Sequence, residues 1–151
     1  MIDTHCHLHL MKCSIDDILK SSYKAGVNHI IQVAIDFDSI KKNIDFYSNY
    51  PNVSITGGIH PLSVSSQLNM QQVLDYIQLN AQSFCALGEI GLDYKYGNDN
   101  QQLQKQWFYE QLELARTLNL PVIIHSRHSD DDVLTIVNQF PDVTKVFHCY
   151  A

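Results

Sequence analysis

The sequence predicts an α/β protein built as a parallel (β/α) barrel of the TIM type, present here through about six of the eight strands of a complete one. Three observations lead there. Apolar, strand-like runs alternate strictly with amphipathic helical stretches across short connections, which implies a parallel sheet covered by helices. Those runs end in residues that can carry chemistry, namely His7, His60, Glu89, His125 and His148. An open doubly wound sheet gathers its site at one switch point, whereas a barrel collects residues from the ends of many strands. The length of 151 residues suits one domain, while a complete barrel takes about 250 residues. Residues 1–151 are therefore expected to be the N-terminal part of a single barrel, cut short after its sixth strand.

Each element has its own local reason. Residues 1–7 read as a first strand, in which side chains alternate, so His5 and His7 share one face and Cys6 takes the other. Ser14 is placed to cap a helix with Asp16 and Asp17 in its first turn, and Gly26 to stop it. Residues 29–35 make the second strand, and residues 38–50 a second helix closed by Pro51. The third strand, 53–59, runs into Gly58-Ile59-His60-Pro61. Residues 69–81 form a third helix with Met70, Val73, Leu74 and Ile77 on one side. The fourth strand is 84–90, and the long fourth helix, 101–118, repeats Leu103, Trp107, Leu114 and Leu118 at helical spacing, a core stripe. A fifth strand at 121–125, a fifth helix at 130–140 and a sixth strand at 144–148 complete the series.

Composition narrows the function. Ten Lys and Arg against 16 Asp and Glu leave a net charge of −6, which disfavours nonspecific nucleic-acid binding through a broad basic surface. A pair of metal ions can still supply positive charge locally. The charged share of 17% falls below the roughly 25% usual for soluble domains. With an unclosed parallel sheet, it points to self-association or a complementing C-terminal segment as partner. The N-terminus lacks the look of a signal peptide, and no apolar run reaches the roughly 20 residues of a membrane span, so the setting expected is cytoplasmic with no membrane partner. Cys6, Cys13, Cys85 and Cys149 form no C-x-x-C pair and read as thiols, Cys6 and Cys149 as small buried residues rather than ligands.

His5, His7, Glu89, His125 and His148 are the candidate metal ligands. For the first two the plainer reading is a hydrogen-bonded core pair, but matching residues at the ends of other strands favour a metal site. A lone carboxylate between Gly88 and Ile90 would be costly without a cation or donors, and its two oxygens suit Glu89 to bridging. Imidazole-rich ligation alone suggests Zn²⁺, Mn²⁺, Fe²⁺ or Ni²⁺ over Mg²⁺. His60 is expected to contact substrate. Arg127 either holds a phosphate with its fork or pairs with Asp130 or Asp131. Asp93 steadies the loop after Glu89 or orients a ligand. The run Asp130-Asp131-Asp132 reads as a solvated helix start, and His9, His29 and His128 as surface or loop residues.

Taken in order, Asp3-Thr4-His5-Cys6-His7-Leu8, Gly58-Ile59-His60-Pro61, Gly88-Glu89-Ile90-Gly91-Leu92-Asp93-Tyr94, Pro121-Val122-Ile123-Ile124-His125-Ser126-Arg127 and Val146-Phe147-His148-Cys149 resemble the signatures of TatD-type metal-dependent deoxyribonucleases. These are TIM-barrel hydrolases. The resemblance implies two divalent ions, Mg²⁺, Mn²⁺ or Zn²⁺, with His5 and His7 on the first, Glu89 bridging as a catalytic residue, and His125 and His148 on the second. The family also uses an aspartate of the eighth strand, to which nothing here corresponds. The function implied is hydrolysis of DNA phosphodiesters, as a 3′ exonuclease on single strands or 3′ ends. An amidohydrolase acting on C–N bonds is the alternative within enzymes. A catalytically dead remnant that binds metal or a partner is the alternative outside them.

Overall fold

The computed structural model describes residues 1–97 and 99–149. Its strands are β1 (Ile2–Cys6), β2 (His29–Gln32), β3 (Val53–Gly57), β4 (Phe84–Asp93), β5 (Val122–Arg127) and β6 (Lys145–Phe147). Between them run α1 (Ile15–Lys24), α2 (Phe37–Asp45), α3 (Met70–Leu79), α4 (Gln101–Leu118) and α5 (Asp130–Val137). The strands form one sheet in the order β1-β2-β3-β4-β5-β6, parallel at every pairing.

That sequential order separates the two layouts, since a doubly wound sheet reverses direction at its switch point. Curvature separates them further. In a flat sheet β1 and β6 would lie about 24 Å apart, five spacings of roughly 4.8 Å. Instead, His5 of β1 and His148 just beyond β6 stack with ring centroids 3.5 Å apart and planes 12° from parallel. The sheet is therefore curled into a half-barrel that brings together side chains from the C-terminal ends of its first and last strands.

In β3, β4 and the first half of β5, burial on both faces explains why the apolar runs are nearly continuous, whereas β1 and β6 stay largely open. On the convex side, Ile30, Ile55, Leu87, Ile90 and Ile124 pack against Ile40, Val73, Ile77, Trp107, Leu112 and Val133 from the helices. Val33, Ala86 and Ile123 form a separate cluster on the concave side. Trp107 is buried, as its helical stripe predicted.

Several boundaries differ from expectation for local reasons. The ladder between β4 and β5 continues through Gly91–His125, Leu92–Ser126 and Asp93–Arg127, so both strands outlast their apolar runs. Helix α2 begins at Phe37, because Asp36 and Ser39 form a reciprocal capping box: Asp36 Oδ1 accepts the Ser39 N–H at 2.7 Å and Ser39 Oγ accepts the Asp36 N–H at 2.9 Å. It ends at Asp45, and Tyr47–Asn49 follow as a short 3₁₀ turn. Ser14 caps α1 as expected, its Oγ accepting from the Asp17 N–H at 3.2 Å.

Candidate metal centre

Because the sheet curls, the ends of its strands converge. His5 lies on β1 and His7 just past it, where the chain turns into the 3₁₀ segment Leu8–Leu10. Glu89 sits within β4, His125 on β5, and His60 and His148 just beyond β3 and β6. The Glu89 carboxylate, only 3% exposed, is the hub. Its Oε2 lies 3.4 Å from His5 Nε2 and 3.8 Å from His7 Nε2, and its Oε1 lies 2.9 Å from His125 Nδ1. The Nε2 atoms of His5 and His7 are 3.3 Å apart, as the alternation within β1 predicts.

A second layer sets the rings. His7 Nδ1 is 3.1 Å from the Val33 carbonyl, an acceptor that requires a proton on Nδ1 and leaves the Nε2 lone pair facing the hub. Gln32 Oε1 accepts the Leu8 N–H at 2.6 Å and so fixes the turn that carries His7. His125 Nε2 lies 3.0 Å from Asp93 Oδ2, which turns Nδ1 toward Glu89. Asp93 also accepts from Arg127 Nε at 2.9 Å and, through Oδ1, from the Lys95 N–H at 3.0 Å.

The Arg127 ion pair is therefore with Asp93, not with Asp130 or Asp131. The register that places Asp93 beside Arg127 makes this pairing local, while Asp130 takes a hydrogen bond from Ser126 Oγ.

Two further residues escaped the sequence reading. Gln104 and Gln111 lie seven apart on the buried face of α4 and grip the backbone at strand ends. Gln104 accepts the Asp93 N–H at 2.9 Å and donates to the Asp93 carbonyl at 3.1 Å. Gln111 does the same to Ile59 at 2.7 and 3.2 Å. Their signal was a polar residue recurring within an apolar helical stripe.

The electrostatics follow from this packing. Burial alone would raise the Glu89 pKa, but hydrogen bonds from His125 and His5 outweigh it and hold the carboxyl well below the usual range. Burial disfavours charge on His125, yet its contacts with Glu89 and Asp93 win and raise its pKa. His60 is pushed down to about 4, chiefly by burial and then by the neighbouring His125, whose ring centroid is 4.4 Å away.

The donor set fits a divalent cation. Three imidazole nitrogens crowd around one buried carboxylate, an arrangement that asks for positive charge at its centre. His5 Nδ1 is buried without a hydrogen-bond partner among the described residues. Ligand atoms of His5, Glu89 and His148 lie within 4.8 Å of one another, as do those of His60, Asp93 and His125. In this structure His148 lies with His5, on which its ring is stacked. A cleft of about 460 Å³ opens over the group, lined by His7, His60, Glu89, His125, Ser126, Arg127, His148 and Cys149.

Residues 2–151 match the family described as TatD related DNase. The chain belongs to that family. A TatD-family likeness extends to a protein of Buchnera aphidicola named an uncharacterized metal-dependent hydrolase, 31% identical over 153 residues, covering 92% of this chain and 57% of the relative. YjjV of Escherichia coli K12, named in the same way, is 36% identical over 135 residues, covering 86% of this chain and 52% of YjjV. The crystal structure of YjjV, a TatD homologue, matches with a TM-score of 0.85 at 31% identity, over 99% of this chain and 60% of that one. The chain spans a little over half the length of these curated relatives.

Within this TatD-family chain, three minor expectations change. His9 is half-buried, its Nδ1 2.8 Å from Gln32 Nε2, since the turn after β1 folds it back against β2. His29 lies in β2, its Nε2 2.8 Å from Ser54 Oγ on β3. Cys149 is exposed at the rim of the cleft, while Cys6 packs partly against the core. His128 is exposed, as expected. No helix among the described residues is long and apolar enough to cross a membrane.

Proposed function

We propose that this chain carries the metal-binding portion of a two-metal hydrolase that cleaves DNA phosphodiesters, as a 3′ exonuclease on single strands or 3′ ends. The observation that carries this reading is the division of the Glu89 carboxylate, one oxygen toward His5 and His7 and the other toward His125. A carboxylate so shared is suited to bridging two ions, held by His5, His7, Glu89, His125 and His148. The choice of DNA rests on the description of the family. When bound, Mg²⁺, Mn²⁺ or Zn²⁺ would supply an activated water and offset charge on the attacking and leaving oxygens.

The chain's own groups do the rest. Glu89, held ionised, anchors both halves of the site. Leu62 N–H donates to His60 Nδ1 at 3.1 Å, which puts the imidazole proton on Nε2 and frees it to donate to a phosphoryl oxygen as a neutral ring near pH 7. Asp93 holds the inner edge of Arg127, so that the outer edge of the guanidinium can meet a phosphate.

The test is release of mononucleotides from end-labelled single-stranded DNA with Mg²⁺, Mn²⁺ or Zn²⁺ added in turn, beside a His125→Ala preparation. Metal-dependent release lost in the variant is expected. Release no greater than the variant's with every metal would overturn the reading, and hydrolysis of a cyclic amide instead would move it to C–N bonds.

A further inference from the structure

The loop after β4 carries two tyrosines with opposite fates. Tyr94 is turned inward, its hydroxyl donating to Asp132 Oδ2 at 2.8 Å, while Lys105 pairs with the same carboxylate at 2.7 Å. Tyr96, two residues on, is 71% exposed. A ring so exposed is available for contact. Two cations lie over it at the outer reach of a cation–π contact: Lys95 Nζ is 5.5 Å from the Tyr96 ring centroid, and Arg127 Cζ is 5.5 Å from it as well. The neighbours of the ring are anchored, because the single carboxylate of Asp93 holds both the Lys95 backbone and the Arg127 side chain. Arg127 in turn lines the cleft that contains Glu89.

We propose that Tyr96 is a stacking platform for one nucleobase of a single-stranded substrate, with Arg127 and Lys95 taking the phosphates on either side. The inference rests on the nuclease reading above and adds to it a reason for strand preference. A planar π-face bordered by positive charge suits a base and its phosphates together, with little regard to sequence. Bases stacked inside a duplex cannot reach it, so the site selects unpaired nucleotides. It also answers the overall charge of −6, since the strand is met by two local cations rather than by a basic surface.

The experiment compares binding of two fluorescein-labelled, phosphorothioate-linked oligomers of equal length in Mn²⁺, read by fluorescence anisotropy. One is oligothymidine and the other lacks bases. Base–aromatic stacking of this kind is worth roughly five- to a hundredfold in affinity. The wild-type chain is expected to prefer oligothymidine by a factor in that range. Tyr96→Ala should bring the ratio to about one, and Tyr96→Phe should keep it. Lys95→Gln should weaken both oligomers alike. Since the Tyr96 ring is largely in solvent, its loss leaves the fold in place, which a thermal melt checks. A preference that survives in Tyr96→Ala, or that is absent from the wild type, overturns the platform and leaves the nuclease reading standing. Failure of the wild type to bind either oligomer overturns both.

Discussion

Gly91→Ala perturbs the metal centre through the backbone alone. Gly91 has φ of +141° and pairs with His125 across the β4–β5 ladder. An added Cβ would fall 2.0 Å from the His125 carbonyl oxygen and 3.0 Å from its carbonyl carbon and nitrogen. Carbon and oxygen normally come no closer than about 3.3 Å, so the strands must part by about 1 Å or more, carrying His125 with them. The unfavourable φ costs about 1–3 kcal/mol, and each ladder hydrogen bond lost adds about 1 kcal/mol. The expected total is about 3–5 kcal/mol, in the range reserved for named structural faults. Gly26→Ala is the control, with φ of +85° and nothing within 4 Å of the added carbon, and should cost about 1–2 kcal/mol. Urea unfolding of the two variants separates strain from collision. Equal destabilisation, within about 0.5 kcal/mol, would refute the close approach of β4 to β5 at His125.

Other consequences follow from single contacts. Asp93→Asn removes the charge that holds His125 and Arg127, and should weaken divalent-ion affinity about ten- to a hundredfold in a chelator-competition assay; unchanged affinity would deny Asp93 that role. Gln111→Leu keeps the bulk but strands the Ile59 N–H and carbonyl inside the protein, which should cost about 2–4 kcal/mol in urea unfolding. Asp132 titrates below its ordinary value because Lys105 and then Tyr94 bond its carboxylate. Its contribution is therefore present above the unfolded pKa of 3.8 and lost as pH falls through the lower folded value. The wild type should exceed Asp132→Asn by about 0.5–1 kcal/mol at pH 7, a modest figure because the pair is solvent-screened. Thermal melts down to pH 3 should show the difference shrinking, and growth of the difference in acid would contradict the pairing.

The parts legible in the sequence were those written in periodicity. Alternation in Asp3-Thr4-His5-Cys6-His7 placed two imidazoles together, and the apolar runs before Glu89, His125 and His148 marked strand positions that the curled sheet then gathered. What periodicity does not encode is lateral register. The pairing of Asp93 with Arg127 depends on how β4 lies against β5, whereas the chain itself offered only nearby Asp130 or Asp131 as partners. Gln104 and Gln111 were hidden for a related reason: a glutamine in an apolar stripe declares its purpose only when the backbone it bonds is known. The grouping of His148 with His5 likewise needs the closing curvature, which no local segment specifies.

The role proposed for Glu89 is to join the histidines into one centre for two ions. Equilibrium dialysis against Mn²⁺ counts those ions directly in the wild type and in Glu89→Gln. Two ions per chain are expected in the wild type, with both weakened in the variant because each loses its shared oxygen. No bound ion in the wild type, or a count and affinity indifferent to Glu89→Gln, would contradict it.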